Sequence, residues 1–397
     1  MTISRRRLIV ASILAGVSLI ISKLIGFLKI NPSFASNNML SADRKRKQCR
    51  NSISRVISVH SDKATRWDSS TYPFIDSIDQ DIVEDMLNKG IKALTEEKSV
   101  ESAWRCIFES YKDDDVIAIK PNFVDLHKEF KDNLVVSPSV INAILKGLIE
   151  ILNVSPNNIA VYDCTSIIPD SYRKRIKYPV RFVEPYGSSL LRKISYKVMG
   201  NPLPEADFDY EIKMSHDIKD KNGKKVKCYL PQVVTTADHI INIPVLKSHQ
   251  FILASGALKN HYGTVRFSDG KLTPEYLHPP LIHESIADIN SHPQLREKTR
   301  LVVMDGLFGR IKKKGGPPDR WIIYNNENPN RLFLSMNPVA LDSVTAYCIK
   351  KEIQARNGKY FADDYLRISS ERRIGTYEMP DESGEFKSID FRHYDIE

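Results

Sequence analysis

Apolar residues along this chain occur in short unbroken runs and in stretches with helical spacing, and the two kinds of segment alternate. Unbroken runs of this type predict strands that are buried on both faces, and spacing of three to four residues predicts amphipathic helices. The predicted strands are 116–120, 158–162, 240–245, 300–304 and 332–335, and the predicted helices are 82–94, 100–111, 138–152, 282–290 and 338–350. The order strand–helix–strand implies right-handed parallel units. The sequence therefore predicts an α/β fold, with a mainly parallel sheet flanked by helices.

Two of the helices carry recognisable start signals. Ser137 precedes Pro138, a serine N-cap followed by a proline whose fixed φ suits the first helical position. Asn337 stands in the same place before Pro338. These signals predict the starts of the helices at 138 and 338.

The middle of the chain, about 170–232, has a different pattern. Its apolar segments are short or alternating, and Asn222-Gly223 between charged residues is typical of a hairpin turn. We predict a β-rich insertion or lid with strands near 181–183, 208–214 and 227–230. The α/β domain then covers 56–350, and 351–397 forms a C-terminal extension. The polar tail from Gly375 is expected to be loosely ordered or packed as an extended arm.

The first 36 residues have the pattern of a targeting segment. Ser4-Arg5-Arg6-Arg7-Leu8 leads into fifteen uncharged residues, 8–22, and Ser33-Phe34-Ala35 offers small residues for a signal peptidase. This start resembles a twin-arginine export signal. The alternatives are a plain secretory signal and an uncleaved membrane anchor. Residues 37–55 form a basic linker. We expect export, to the periplasm or the outer face of the cytoplasmic membrane, with a membrane contact through the N-terminal segment if that segment is not cleaved.

Charge and cysteine content limit the possible partners. The net charge is +9, and residues 1–50 alone hold ten Lys or Arg and one acid, so the body of the protein is neutral. A neutral body argues against nucleic-acid binding, which normally requires a basic face on the folded domain. The five cysteines include no C-x-x-C pair, so no sequence-local iron–sulfur cluster or structural zinc site is expected. Their odd number implies at least one free thiol.

Polar residues that can carry chemistry follow the predicted strands. The segment 238–263 contains the strand 240–245 and then Lys247, His249, Lys259 and Asn260. Open α/β sheets bind ligands at the carboxyl ends of their strands, so we predict a common pocket formed by the residues that follow the strands: Lys120, Asn122, Asp163, Lys247, His249, Lys259, Asn260 and Asp305. The alternative for each is an ordinary strand-end side chain that reaches solvent.

These residue types suggest the chemistry of the pocket. A lysine can bind a phosphate or carboxylate as a point charge, or act as a base or imine-forming amine when desolvated. His249 is a candidate acid–base group or metal ligand. Six of the ten histidines fall in 239–292, which leaves room for a divalent metal, although no ligand spacing matches a known motif and several of them could be surface residues.

Two further features border this region. Gly315-Gly316-Pro317-Pro318 forms a loop in which Gly316 could approach a ligand closely as part of a lid, or serve only as a solvated hinge. Phosphate-loop and dinucleotide-binding patterns are absent from the sequence, so no tightly bound nucleotide is expected.

Asp342 lies near the start of a helix, where a carboxylate is stabilised by the dipole, and we assign it a structural role.

Four segments in this order resemble the bacterial and archaeal domain-of-unknown-function family number 362. They are 119–122 (IKPN), 242–249 (NIPVLKSH) continuing to 256–260 (GALKN), 303–306 (VMDG) with Gly316-Pro317, and 337–342 (NPVALD). The resemblance covers about 116–350. Many members of the family carry twin-arginine signals, and others carry ferredoxin-type cysteine clusters that this chain lacks. The resemblance implies no single activity. The family is distantly similar to nickel-dependent lactate racemase proteins, and only in the layout of the fold.

Two functional hypotheses follow. The first is an exported α/β enzyme that acts on a small anionic substrate by acid–base or metal-assisted chemistry, with isomerisation or epimerisation as the reaction class. In it Lys247 fixes the anion, His249 moves protons, and Asp305 orients a base or holds a metal. Lys120, Asn122, Lys259, Asn260 and Gly316 bind the substrate. The alternative is a non-catalytic ligand- or partner-binding protein at the outer face of the membrane.

Overall fold

The computed structural model describes residues 54–68, 73–124, 126, 133–185, 204–220, 222–272, 274–311, 316–381 and 383–397. The predicted targeting segment, 1–36, and nearly all of the basic linker lie outside these ranges. The described strands, in chain order, are β1 Arg55–His60, β2 Ile117–Pro121, β3 Ile159–Tyr162, β4 Arg181–Val183, β5 Ala206–Ile212, β6 Cys228–Pro231, β7 His239–Ile243, β8 Val245–Lys247, β9 Arg266–Phe267, β10 Thr299–Arg310, β11 Arg331–Ser335 and β12 Asp390–Asp395.

The described α-helices include all five that the hydrophobic spacing predicted. In chain order they are α1 Gln80–Thr95, α2 Val100–Ile107, α3 Pro138–Lys146, α4 Asp170–Arg173, α5 Gln232–Thr235, α6 Ala257–Asn260, α7 Ile282–Ser291, α8 Pro293–Arg296, α9 Pro338–Ala355 and α10 Asp364–Glu371. After α3 the chain continues through a π-helical turn, Gly147–Ile151. None of the described helices has both the length and the apolar character needed to cross a membrane.

Nine strands form one sheet in the order β12-β1-β11-β10-β7-β2-β3-β4, with β8 also paired to β10. Most neighbouring pairs are parallel, and only the pairs of β11 with β1 and with β10 are antiparallel. Helices cover this sheet. The predicted α/β fold with a mainly parallel sheet is therefore confirmed.

The sheet separates two apolar cores, because successive side chains of a strand point to opposite faces. In β2, Ile117 and Ile119 pack into the core under α1, α2 and α3. Ala118, between them, packs into the core under α7, α9 and α10. Burial on both faces is the reason that these strands have unbroken apolar sequences.

The middle region forms a separate three-stranded sheet, with the order β5-β6-β9. The strand predicted at 181–183 exists as β4, but it pairs parallel with β3 and extends the main sheet. The third strand of the small sheet is β9, which follows the segment 238–263 and lies outside 170–232. A three-residue strand carries too little sequence pattern to indicate which sheet it joins.

The start signals of the two helices act differently. Asn337 caps α9 as predicted, since its side chain accepts hydrogen bonds from the N–H groups of Val339 and Ala340. Ser137 occupies the N-cap position of α3, but its hydroxyl makes no capping hydrogen bond. The backbone N–H of Ser137 instead donates to Asp305, described below.

The four cysteines within the described residues divide into two groups. Cys106, in α2, is disulfide-bonded, whereas Cys164, Cys228 and Cys348 are free. The prediction of at least one free thiol is confirmed. Burial raises the pKa of the Cys164 and Cys228 thiols, so both are protonated and unreactive at neutral pH.

The end of the chain returns to the sheet as a strand. β12 pairs parallel with all six residues of β1, and Arg55 Nε lies 2.6 Å from Asp390 Oδ2. The polar tail was expected to be either loosely ordered or packed as an extended arm, and its last strand is packed in the sheet.

Deleting Asp390–Glu397 will leave β1 as an unprotected sheet edge, because it removes one whole row of ladder hydrogen bonds. We expect the melting temperature to fall by about 4 °C or more, on the scale of a few kcal/mol. The matched control is Arg392→Ala, which removes partly exposed ion pairs with Glu96 and Asp390 and should cost less than about 1 kcal/mol. Equal melting temperatures for the truncated and full-length proteins would contradict this role of β12.

Candidate functional site

Lys120, at the end of β2, belongs to a buried ion pair. Its Nζ lies 2.8 Å from Asp163 Oδ2, just after β3, and each side chain is only 1% exposed. The ammonium also donates to Pro121 O. Oδ1 of Asp163 accepts hydrogen bonds from the N–H groups of Thr165 and Ser166. Each charge is thus compensated within the protein, as a buried pair requires.

Gly263 lies directly on this ion pair. A Cβ at this position would be 2.9 Å from Lys120 Nζ and 3.0 Å from Asp163 Oδ2, so only glycine allows the backbone to approach so closely. The carbonyl of Gly263 accepts a 2.8 Å hydrogen bond from the N–H of Cys164. The end of the segment 257–263 therefore packs on the ion pair and is bonded to the strand end through Cys164.

Asn260, predicted to bind substrate, also fixes this segment. Its Nδ2 donates to Lys120 O at 3.0 Å and to Asn242 Oδ1 at 2.8 Å. Nδ2 of Asn242 in turn donates to Ala257 O and lies 3.3 Å from His261 Nε2. Burial lowers the pKa of His261 to about 3, so this imidazole is neutral. These buried side chains bind one another and the backbone.

Asp342 caps the short helix α6. Its Oδ1 accepts a hydrogen bond from Ala257 N at 2.5 Å, and its Oδ2 accepts one from Leu258 N at 2.9 Å. A Cβ on Gly256 would lie 2.3 Å from Asp342 Oδ1, so the glycine is needed for this contact. Complete burial raises the pKa of Asp342 to about 7. The contacts match the structural role assigned to Asp342 from the sequence.

Lys247 and Asn122, predicted to share the pocket, are in contact. Lys247 Nζ lies 3.1 Å from Asn122 Oδ1 and 3.3 Å from Leu134 O, and the lysine is buried. Asn122 N donates to Ile243 O across the strand ends. The two residues come together although 125 positions separate them in the chain.

Asp305 lies one strand away from Lys247. It is the register partner of Val245 in the ladder between β10 and β8. Its Oδ2 accepts from Ser137 N at 2.7 Å, and its Oδ1 accepts from Leu307 N at 3.1 Å. Burial raises the pKa of this carboxyl. Both oxygens thus hold backbone groups at the start of α3 and within β10, and a role in orienting a base or binding a metal stays a prediction.

Gly316 joins the same edge of the sheet. Gly316 N donates to Asn133 Oδ1 at 3.0 Å, and Gly316 O accepts from Arg310 Nη1 at 3.1 Å. Arg310 is the register partner of Lys247. The φ of Gly316 is +133°, a conformation that favours glycine. Residues 312–315 lie outside the described ranges, so the choice between lid and hinge stays open.

Lys259 lies in a different environment from Lys120 and Lys247. Its Nζ is 4.0 Å from the centroid of the Tyr262 ring. The ring of Tyr262 lies 5.9 Å from that of His278, which lies 6.2 Å from His249 and 5.5 Å from Phe251. We call these five residues the lysine–aromatic cluster. Except for Tyr262, which is buried, its members are partly exposed.

Burial is the main influence on the electrostatics of the cluster. It lowers the pKa of Lys259 to about 7. Burial, followed by the positive charges of Lys259, His278 and Lys247, lowers the pKa of His249 to about 2. Burial and Lys259 lower the pKa of His278 to about 4, against the opposing charge of Glu275. In the described part of the chain no carboxylate forms an ion pair with Lys259. At neutral pH the cluster therefore combines two neutral imidazoles with an amine that is partly deprotonated.

A cavity of about 310 Å³ opens next to His249. Ser248 and His249 line one end, and apolar side chains form much of the wall. The remaining lining residues are Ile252, Leu253, Ile311, Ile353, Arg356, Gly358, Lys359, Tyr360 and Phe361. This volume is at the lower end of the range for small-molecule sites.

The sequence analysis missed three members of the cluster as site residues. His278 is one of the six histidines in 239–292, but Tyr262 and Phe251 carry no polar strand-end signal in the sequence. Tyr262 is three residues after Lys259, a spacing that puts it on the same side of a helical turn, and this signal could have been found. In the described residues no group of three or more His, Cys, Asp or Glu is arranged to hold a metal ion. The divalent metal considered from the sequence stays a prediction.

The fold and the position of these residues define the class of the protein. It is an α/β protein in which polar residues lie at the carboxyl ends of parallel strands. A family model described as "Domain of unknown function (DUF362)" matches residues 117–347. The match covers more than half of the chain, which therefore belongs to this family, as the four motif segments predicted. A search of curated proteins returns no match.

The contacts predict effects of very different size on stability for two lysine substitutions. Lys120→Met will leave the carboxylate of Asp163 buried without its counter-ion and should lower the free energy of unfolding by about 3–5 kcal/mol. Lys259→Met removes an amine that has no carboxylate partner in the described structure, and we expect a change below about 1 kcal/mol. Chemical denaturation of both variants measures the difference. The double variant Lys120→Met/Asp163→Leu should recover part of the loss, and equal losses for the two single variants would refute the assignment.

Proposed function

We propose that the protein is an exported α/β enzyme that acts on a small anionic substrate by acid–base chemistry at the carboxyl edge of its sheet. The observation that carries this proposal is the lysine–aromatic cluster. Lys259 is partly exposed there, lies beside two neutral imidazoles, and has no acidic partner among the described residues. A desolvated amine in this setting can bind an anion or exchange protons with it.

Comparison with the other lysines supports this choice of residue. Lys120 is neutralised by Asp163, and Lys247 is buried against Asn122 and Leu134. An anionic group that approached Lys259 would supply the counter-charge that the protein does not. The ring N–H groups of His249 and His278 could then donate hydrogen bonds to the same anion, and the charge of Lys247, which acts on His249, adds attraction.

The pKa values divide the roles within the cluster. General acid–base catalysis is most effective when the pKa of the group is close to the working pH. Lys259, whose pKa is about 7, meets this condition. His249, whose pKa is lowered to about 2, is too weak a base, so its proposed role changes from proton transfer to hydrogen bonding. Removal of a proton next to a carboxylate, as in isomerisation or epimerisation, is the proposed reaction class.

The cavity beside His249 would receive the rest of the substrate. Ile252, Leu253 and Ile353 give it an apolar wall, and Lys359 lies at its rim. The same cavity also favours the second candidate function, a non-catalytic ligand-binding protein, because the exposed rings of Tyr360 and Phe361 could hold a ligand without any reaction.

Exchange of substrate hydrogen with heavy water separates the two functions. Incubation with small 2-hydroxy, 2-amino and 2-oxo acids in D₂O, followed by proton NMR, should reveal deuterium on the carbon next to the carboxyl group or carbonyl. Lys259→Met should lower the exchange rate by about 100-fold or more, in line with loss of a general base.

The matched control is Lys271→Met. Lys271 also lies over a tyrosine, 4.4 Å from the Tyr276 ring, but it is exposed, so its loss should leave exchange unchanged. Thermal stabilisation by one of these acids without any deuterium exchange would reject the enzyme and favour the ligand-binding protein.

Export is part of the proposal. Arg5-Arg6 precede the apolar segment, whereas Lys29 and Arg44–Lys47 follow it. Such positive charges hinder transport of an unfolded chain but not of a folded one. The disulfide at Cys106 supports an oxidising compartment, in which such bonds persist.

Replacing Arg5-Arg6 by Lys-Lys should retain the protein in the cytoplasm, because a twin-arginine route depends on that pair. Cell fractionation and immunoblotting measure the distribution of the protein, and a Lys45→Arg variant serves as a charge-preserving control. Unchanged export of the Lys-Lys variant would assign the protein to the general secretory route.

A further inference from the structure

The amine of Lys259 is suited to a role beyond proton transfer. α6 and the turn that follows it hold its backbone through Asp342, Asn260 and Gly263, all described above. The side chain itself ends over the face of Tyr262, whose hydroxyl donates to Leu277 O at 2.8 Å and is within 3.1 Å of Ile282 O. The ring is thereby fixed, and the amine is positioned without a hydrogen bond or ion pair to any described acceptor.

We propose that Lys259 forms an imine with the carbonyl carbon of its substrate and that the substrate is a 2-oxo acid. This inference rests on the proposed function, because it uses the same cluster and the same anion. It names the covalent step and the chemical class on which the acid–base chemistry would act.

The step needs no reactant other than a proton from solvent. The lone pair of the neutral amine attacks the carbonyl carbon, a C–N bond forms, and the π electrons of the C=O bond move to oxygen. A proton passes from nitrogen to that oxygen to give the carbinolamine. Its hydroxyl then takes a second proton from solvent and leaves as water while the nitrogen lone pair forms the C=N bond of the protonated imine. Nothing is oxidised or reduced. The partly apolar surroundings of Phe251 and Tyr262 favour loss of water, and the protonated imine makes the adjacent C–H bond more acidic.

The surroundings of Lys259 favour a keto acid over a neutral aldehyde. The described groups that face the amine are the ring of Tyr262 and, nearby, the imidazoles of His249 and His278. Both imidazoles are neutral at pH 7 and can donate hydrogen bonds, whereas no acid of the described chain pairs with the amine. A carboxylate next to the reacting carbonyl would meet hydrogen-bond donors on this side, although the charge of Glu275, which also acts on His278, opposes it in part. The cavity beside His249 can hold the substituent on the far side of the carbonyl.

Reductive trapping tests the imine directly. The full protein is incubated at pH 7 with pyruvate or phenylpyruvate and sodium cyanoborohydride, digested, and mapped by mass spectrometry. We expect one carboxyethyl group from pyruvate on Lys259, with labelling on the order of tenfold or more above that of Lys271, because the neutral amine is the reactive form. Phenylpyruvate should label Lys259 at least as efficiently if its ring occupies the cavity.

Matched variants make the test specific. Lys259→Arg should lose the adduct at this site, and Lys271→Met should retain it. Peptide mapping of the wild-type protein gives the same answer even if Lys259→Arg fails to fold. Labelling that is equal at Lys259 and at surface lysines, or absent from Lys259, would overturn the inference.

The two proposals fail in distinguishable ways. Deuterium exchange that depends on Lys259 without any trapped adduct would retain the acid–base enzyme and reject the imine. Selective trapping without exchange would retain the reactive lysine and the keto-acid class and reject the proposed proton-transfer reaction.

Discussion

The contact between Asp342 and the start of α6 determines where Lys259 and Asn260 lie. A four-residue helix has little stability of its own, because nearly all of its N–H groups lack partners within the helix. The buried carboxylate supplies acceptors for two of them, and the missing side chain of Gly256 allows the close approach. From this point the chain runs through Lys259 and Asn260 to Gly263, which lies on the Lys120–Asp163 pair. Lys259 is therefore held by contacts on both sides of it in the chain.

Buried acids have the same use elsewhere in the molecule. Asp305 accepts the N–H groups of Ser137 and Leu307, and Asp163 accepts those of Thr165 and Ser166. Glu352 likewise accepts those of Ile322 and Ile323. Hydrogen bonds to a charged acceptor are stronger than those between neutral groups, and here they fix backbone N–H groups of loops and helix starts. Asp163 and Asp305, which the sequence placed in the pocket, thus bind the backbone, whereas the amine of Lys259 forms no ion pair among the described residues.

Features that depend on local sequence patterns could be predicted from the sequence, whereas features that depend on contacts between distant parts of the chain were predicted less well. Strands buried on both faces, such as Ile117–Pro121, were found because each residue of the run must be apolar. The short strand Arg181–Val183 was found but its sheet was not, since pairing with β3 depends on tertiary structure. The contact between Lys247 and Asn122 followed from the rule that strand ends meet at one edge. The pairing of Lys120 with Asp163 could not be predicted, because the lysine could equally have faced a ligand. Tyr262 and Phe251 were missed because their chemistry lies in ring faces.

The parallel pairing of β1 with β12 has a consequence for the order of folding. Arg55 and Asp390, which form an ion pair, are 335 positions apart, almost the whole length of the described chain. During synthesis β1 emerges early and must wait for β12, which is made after all the other described strands of the sheet. Contacts of such long range are slow to form. This edge of the sheet is therefore the last to be completed, and β1 stays exposed until β12 pairs with it.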